Sequence, residues 1–235
     1  MRFARGSLVF SYGLFSISAQ ALLFREFITT FEGNDISVGI FFSSWFLWVG
    51  AGAMFVRRAT GLAEALVRNV EFLLLAYLPA FVLQMALILH ARQLASVEAY
   101  ALWSIREMLL ASVIVNAPIS ILTGMLFPTA CRWAGSNLGQ ERVGLAVSGV
   151  YTLEAAGSFI GGAGVTLLLG LGVTTTRIFL ILVLIVTVTV FLMRLVRSRE
   201  ALWALAPICA FICLIAGVDK ALTQRLQTIK WLIRI

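Results

Sequence analysis

The 235-residue sequence contains few of the residues that carry catalysis or cross-links. It has one histidine, His90, so it cannot supply the two imidazole ligands of a bis-histidyl haem. Its three cysteines are too few for a disulfide framework, and Cys209 and Cys213 lack the further ligands that a metal site needs. We therefore expect no metal site, no cofactor and no catalytic residue in this chain.

Charge is also scarce, because only 12% of the residues are charged whereas 61% are hydrophobic. An ordinary soluble domain has about 25% charged residues, and its interior could not hide so much apolar surface from water. The formal net charge of +7 comes from 18 Lys and Arg against 11 Asp and Glu. We attribute it to loops that orient membrane helices and not to nucleic-acid binding. The expected environment is a lipid bilayer.

Seven apolar stretches, each close to the ~20 residues needed to cross a bilayer, fill most of the chain. They are Ser7–Phe31, Ile36–Val56, Val70–Leu89, Met108–Thr129, Val147–Leu171, Thr174–Met193 and Leu202–Val218. Lipid offers no hydrogen-bond partners to a peptide backbone, so each stretch must form a helix. The sequence therefore predicts an all-α, polytopic bundle, with a seven-helix transmembrane domain over residues 1–218.

Loop arginines indicate how this bundle is oriented. If the N-terminus lies inside, the inner loops hold Arg2, Arg5, Arg57, Arg58, Arg68, Arg132, Arg142, Arg194, Arg197 and Arg199. The outer loops then hold Arg92, Arg106 and Arg177. This bias predicts a multi-pass protein of the bacterial inner (cytoplasmic) membrane with a cytoplasmic N-terminus.

Residues 219–235 are predicted to form a separate amphipathic basic helix. Its apolar residues share one helical stripe, namely Leu222, Leu226, Ile229 and Ile233. Such a helix could lie flat on a membrane surface or pack on a neighbouring subunit. The two interpretations stay open.

Glu154 is the most conspicuous polar residue within a predicted span. A carboxyl in hydrocarbon is costly and marks a functional hypothesis. Tyr151, Glu154, Gly157 and Gly161 share one helical face, and the spacing of the two glycines allows two helices to approach closely. Glu154 could be a proton or cation site, or it could form a structural hydrogen bond or an ion pair with an arginine such as Arg132.

The other glycines of this span, which include Gly162 and Gly164, are assigned to helix packing. No strand precedes them, so they do not form a phosphate-binding loop.

Asn116 lies near Pro118 in the fourth span, where proline commonly kinks a helix. The kink could line a cavity or serve packing alone.

Charged residues near the outer ends of the first and fourth spans suggest a further contact. Arg25 and Glu26 would lie at the same membrane level as Arg106 and Glu107. They could form reciprocal structural ion pairs, or each could extend to the interface independently.

Two stretches resemble a known family. The first comprises Gly13-Leu14, Gln20-Ala21-Leu22-Leu23-Phe24-Arg25-Glu26-Phe27, Phe31-Glu32-Gly33-Asn34 and Gly50-Ala51-Gly52. The second comprises Gly124-Met125-Leu126-Phe127-Pro128, Gly144 and Tyr151-x-x-Glu154-x-x-Gly157-x-x-x-Gly161. Together they are similar to the membrane region of membrane-bound spermidine synthase-like proteins.

The resemblance implies a membrane module that precedes a soluble aminopropyltransferase domain in longer relatives. That domain uses decarboxylated S-adenosylmethionine and a polyamine. This sequence has no strand followed by a glycine-rich turn that could seat the nucleoside. Residues of the transferase site therefore have no counterparts in this chain.

Three functions are consistent with these observations. The leading hypothesis is a membrane scaffold or anchor that positions another protein subunit or a larger membrane complex, without chemistry of its own. The second is a small transporter or sensor for a cation or polyamine, with Glu154, Tyr151, Asn116 and Gln20 along its path. The third is a truncated membrane-bound aminopropyltransferase.

Overall fold

A computed structural model describes residues 2–98, 101–136 and 140–197, and every regular element in these ranges is an α-helix. The helices are α1 (Arg2–Thr30), α2 (Asp35–Arg58), α3 (Thr60–Arg68), α4 (Val70–Leu75), α5 (Tyr77–Leu89), α6 (Ala91–Leu94), α7 (Ile105–Val115), α8 (Ala117–Gly135), α9 (Gln140–Gly170) and α10 (Thr175–Arg197).

The helices of the described ranges include five segments long and apolar enough to cross a membrane. These are Gly6–Thr30, Asp35–Arg58, Val70–Leu89, Val143–Gly170 and Thr175–Arg194. The pair α7 and α8, bent by 50° at a short break, provides a sixth if it is one span. The described ranges are thus all-helical, and their long apolar helices indicate a multi-pass membrane protein. The seventh predicted span, Leu202–Val218, and the predicted helix over 219–235 lie outside the described residues.

α1 is the central helix of the bundle. It packs most extensively on α9, then on α10 and α5, while α8 packs mainly on α2. Phe15, Leu22, Leu23 and Phe27 of α1 have no exposed surface. Lipid is as apolar as these side chains, so burying them in the bundle does not transfer them out of water. Their contribution to the stability of the bundle therefore comes from close packing.

The turn between α1 and α2 is set by three consecutive residues. Glu32 and Gly33 both have left-handed backbone, with φ of 69° and 62°. Asn34 then caps α2, because its side-chain oxygen accepts the backbone N–H of Ser37 at 2.8 Å. Left-handed backbone suits Gly33 but is uncommon for a glutamate, so contacts elsewhere must hold Glu32 in place.

Candidate functional site in the bundle interior

The seam between α1 and α9 brings two backbones into direct contact. A Cβ atom added to Gly13 would overlap the carbonyl of Glu154, and one added to Gly157 would overlap the carbonyl of Phe10. Gly161 faces the carbonyl of Leu14 in the same way. The two helices run in the same direction, and only glycine permits this approach.

The other two predicted packing glycines have looser surroundings. A Cβ on Gly162 would lie 3.2 Å from the side chain of Ile17, and one on Gly164 would meet nothing within 4 Å. The tight seam therefore depends on Gly157 and Gly161 of α9 and on Gly13 of α1.

Glu154 lies near the middle of its membrane span. It follows Val143, the first residue of that span, by eleven residues, or ~17 Å of helix rise. This is deeper than the sequence suggested, since α9 begins at Gln140 and the predicted span began at Val147. The half-buried carboxylate accepts the hydroxyl of Ser158 at 2.9 Å.

Two buried tyrosines lie near Glu154. Tyr12 of α1 and Tyr77 of α5 both interact electrostatically with its carboxylate. The Tyr77 hydroxyl donates to Thr123 Oγ1 at 2.9 Å, and the Tyr12 hydroxyl donates to the Thr123 carbonyl at 3.2 Å. Glu154 is thus next to a hydrogen-bonded cluster that joins α1, α5 and α8.

No arginine in the described ranges forms an ion pair with Glu154. Arg132, which the sequence offered as a partner, is exposed, and its Nη1 lies 3.5 Å from the carbonyl of Val56, to which it donates. The carboxylate therefore meets hydroxyl groups in this part of the chain, without a compensating cation.

Asn116 occupies the break between α7 and α8. It is fully buried, and its Nδ2 donates to Ser44 Oγ at 2.7 Å and to the Phe41 carbonyl at 3.4 Å. Gln84 Nε2 donates to Asn116 Oδ1 at 3.2 Å. The amide thus connects the break to α2 and α5.

Backbone groups freed by the break also have side-chain partners. Pro118 has no N–H, so the helix cannot continue regularly through this point. The Val113 carbonyl accepts the indole N–H of Trp48 at 2.6 Å, and the N–H of Ile119 donates to Gln84 Oε1 at 3.0 Å. Neighbouring helices thereby satisfy groups that lipid would leave unpaired.

The sequence interpretation did not assign Gln84, Ser44 or Trp48 to the helix break. Gln84 carried a usable signal, since it is an amide in the otherwise apolar run Val70–Leu89, as Asn116 is in its own span. Ser44 and Trp48 carried none, because serine and tryptophan are common in membrane helices for other reasons.

The four residues proposed for an ion path do not form one cluster. Asn116 is held by α2 and α5, while Glu154 contacts Ser158 and the α1 side. Tyr151 is 63% exposed on the outer surface of α9. Gln20 is half-buried, seven residues beyond Gly13 on α1, which is ~10 Å along the helix axis.

The four residues proposed for ion pairs lie at one end of the bundle. Arg25 and Arg106 are exposed, and Glu26 is buried. Glu107 closes a capping box with Ser104 at the start of α7. The reciprocal pairing with the end of α1 stays a prediction.

Ion pairs between other described residues include one at each end of the bundle. Glu71 of α4, only 3% exposed at its side chain, pairs with Arg194 of α10 at 3.3 Å. At the opposite end, Glu32 Oε1 lies 3.3 Å from Arg92 Nη2 and also accepts the backbone N–H of Trp103 at 3.0 Å. The Trp103 indole N–H donates to the Thr30 carbonyl at 3.1 Å, so these contacts join the end of α1 and its turn to α6 and to the segment before α7.

In the described ranges, no group of three or more His, Cys, Asp or Glu side chains is placed to hold a metal ion.

Comparison with known proteins identifies no matching family model, no matching curated protein and no matching solved structure. The resemblance to spermidine synthase-like membrane regions therefore stays a prediction.

Proposed function

We propose that this chain is a membrane scaffold subunit that positions a partner protein and performs no chemistry of its own. The observation that carries the proposal is a stripe of small residues on α9 that no other helix of the described ranges covers. The stripe, called the α9 stripe below, consists of Gly144, Ser148, Thr152 and Ala156. All four are exposed and recur at every fourth position, so they share one helical face.

Small residues of this kind favour another transmembrane helix over lipid. They allow two backbones to approach closely, whereas lipid chains pack equally well on larger apolar side chains. The Thr152 hydroxyl is already satisfied, because it donates to the Ser148 carbonyl at 2.9 Å. The occupant that fits the stripe is therefore a transmembrane helix of the partner protein.

The remainder of α9 supports a scaffold role. Its opposite face is fixed to α1 through Gly157 and Gly161, so the α9 stripe is presented by a helix anchored to the centre of the bundle. The resemblance described above favours a polyamine-related complex as the assembly. We place the chain in a bacterial inner membrane with its N-terminus in the cytoplasm.

Enlarging the stripe tests the scaffold proposal. The double variant T152L/A156L and the control F159L, at a 77% exposed position of the same helix, would be extracted from native membranes in a mild detergent. We expect a partner protein to co-purify in stoichiometric amount with the wild type and with F159L. We expect T152L/A156L to lose this partner while its own melting temperature stays unchanged. A wild-type chain recovered as a free monomer, or a partner protein retained by T152L/A156L, would overturn the proposal.

A second candidate function is cation or polyamine sensing at Glu154. It is favoured by one observation, the mid-span carboxylate that no arginine of the described ranges neutralises. A half-buried carboxylate within a membrane span and without a fixed cation suits a mobile cation. Aromatic faces such as those of Tyr12 and Tyr77 also attract cations.

Spermidine binding to the full chain in nanodiscs tests this candidate. We expect E154Q to bind at least about tenfold more weakly, which corresponds to ~1.4 kcal/mol, and E64Q, at an exposed position of α3, to bind as the wild type does. Equal binding by E154Q and the wild type, or no binding by the wild type, would exclude it.

A further inference from the structure

Two adjacent arginines close the inner end of α2 and line a cavity. Arg57 and Arg58 are exposed in the last turn of α2. Together with Met54 they border a cavity of about 330 Å³. Because the span Asp35–Arg58 ends here, the cavity lies at the level where lipid headgroups meet the protein.

A third guanidinium lies at the same end. Arg132, in the last turn of α8, is exposed and donates to the carbonyl of Val56. On the neighbouring α3, Glu64 and Arg68 are four residues apart and add no net charge. The surface formed by Arg57, Arg58 and Arg132, called the arginine surface below, is therefore strongly positive.

The start of α3 adds hydrogen-bond donors beside this surface. Ala59 ends α2 and immediately precedes α3, and no side chain caps the first backbone N–H groups of α3. A Cβ on Gly61, the second residue of α3, would meet nothing within 4 Å, so the approach is open. Uncapped amides at a helix start favour a negative group, as the arginines do.

An apolar surface adjoins the charged one. Met54 and Phe55 of α2 are each 52% exposed, one turn before the arginines and on the hydrocarbon side of them. A ligand that matches both parts has a negative headgroup and an acyl chain. Inorganic phosphate matches only the charged part.

We propose that the arginine surface binds an anionic phospholipid. The phosphate lies between Arg57, Arg58 and the first amides of α3, and an acyl chain follows Met54 and Phe55 into the bilayer. Basic surfaces at membrane-helix ends attract anionic headgroups by about 1 kcal/mol per arginine. The site is independent of the α9 stripe and of Glu154.

Lipid titration of the full chain tests this site. The purified chain in a neutral detergent would be titrated with short-chain phosphatidylglycerol or phosphatidylcholine, with bound lipid counted by native mass spectrometry. We expect one phosphatidylglycerol to bind preferentially and R57Q/R58Q to bind it about thirtyfold more weakly. The control R25Q/R106Q removes two exposed arginines at the opposite end, and we expect it to bind as the wild type does.

Each contrary outcome is distinguishable. An equal loss of phosphatidylglycerol binding in R25Q/R106Q would show that binding depends only on the overall charge of the protein. Equal binding of phosphatidylcholine would show that the negative charge of the headgroup is not recognised. Displacement of the lipid by inorganic phosphate would assign the site to free phosphate and overturn the proposal. If R57Q/R58Q does not fold, R57K/R58K keeps the charge, and we expect it to retain phosphatidylglycerol binding. Loss of binding there would also count against the proposal.

Discussion

The side-chain carbonyl of Gln84 accepts the backbone N–H of Ile119 at 3.0 Å, so a residue of α5 satisfies the first turn of α8. The same side chain donates to Asn116. Gln84, Asn116 and Ile119 are all fully buried. The break between α7 and α8 is therefore fixed by α5 and is a defined feature of the bundle.

Replacing Gln84 by leucine should destabilise the bundle. Leucine leaves the Ile119 N–H and the Asn116 carbonyl without their partner, and polar contacts in membranes are worth ~0.6–1.7 kcal/mol each. We expect the free energy of unfolding in a denaturing detergent to fall by about 1–3 kcal/mol. Q93L, at an exposed position of α6, serves as the control. Equal stability of Q84L and the wild type would contradict this assignment.

Adding a methyl group at Gly157 should open the seam between α1 and α9. The new Cβ would overlap the Phe10 carbonyl, which cannot move without shifting α1. Alanine normally stabilises a helix by up to ~1 kcal/mol relative to glycine, so a loss of stability in G157A would show the overlap. G149A is the matched control, because a Cβ there meets nothing within 4 Å. We expect thermal melting of G149A to equal or exceed that of the wild type, and that of G157A to fall below it.

Two serines next to the break should tolerate alanine, while a third should not. Among the described residues, the buried hydroxyls of Ser112 and Ser120 have no hydrogen-bond partner, whereas Ser44 accepts the Asn116 amide at 2.7 Å. Removing an unsatisfied hydroxyl costs little or nothing, while removing an acceptor leaves a donor unpaired. We expect S112A and S120A to unfold as the wild type does or later, and S44A to lose about 1 kcal/mol. Destabilisation of all three to the same extent would show that the first two hydroxyls have partners.

Alanine at Glu32 should loosen the loops around Trp103 more than alanine at Arg92. Glu32 binds both the Arg92 guanidinium and the Trp103 N–H, and alanine would lose these contacts, which hold the left-handed backbone at this position. Arg92 forms a partly exposed pair with Glu32, which contributes at most about 1 kcal/mol, and it also donates to the carbonyls of Glu98 and Ala101. The Trp103 amide is bonded by Glu32 and not by Arg92, so its hydrogen exchange should accelerate more in E32A than in R92A. The opposite order would show that Arg92 holds these loops.

The sequence predicted the helical class and several span positions because the length and apolar composition of a segment can be read from that segment alone. The third predicted span, Val70–Leu89, has the same bounds as the structural segment. The glycines of α9 likewise indicated a close contact. Their partners, the carbonyls of Phe10 and Leu14, could not be predicted, since helix pairing does not follow from the pattern of one helix.

The site around Asn116 was only partly predictable for a related reason. Pro118 indicated a kink, and the structure has a bend of 50° there. The partners that hold the kink come from helices 32 and 72 residues away along the chain, through Gln84 and Ser44. Long-range pairing of this kind leaves no periodic signal in either segment.

The parallel seam of α1 and α9 also has a consequence for biogenesis. α1 is synthesised first, yet Gly157 and Gly161 are made more than a hundred residues later, and Thr189, the partner of Ser11 at 2.7 Å, later still. Until those segments are inserted, the seam face of α1 and the Ser11 hydroxyl lack their partners in α9 and α10. The packing of α1 is therefore completed only when α9 and α10 join it, although α1 is inserted first.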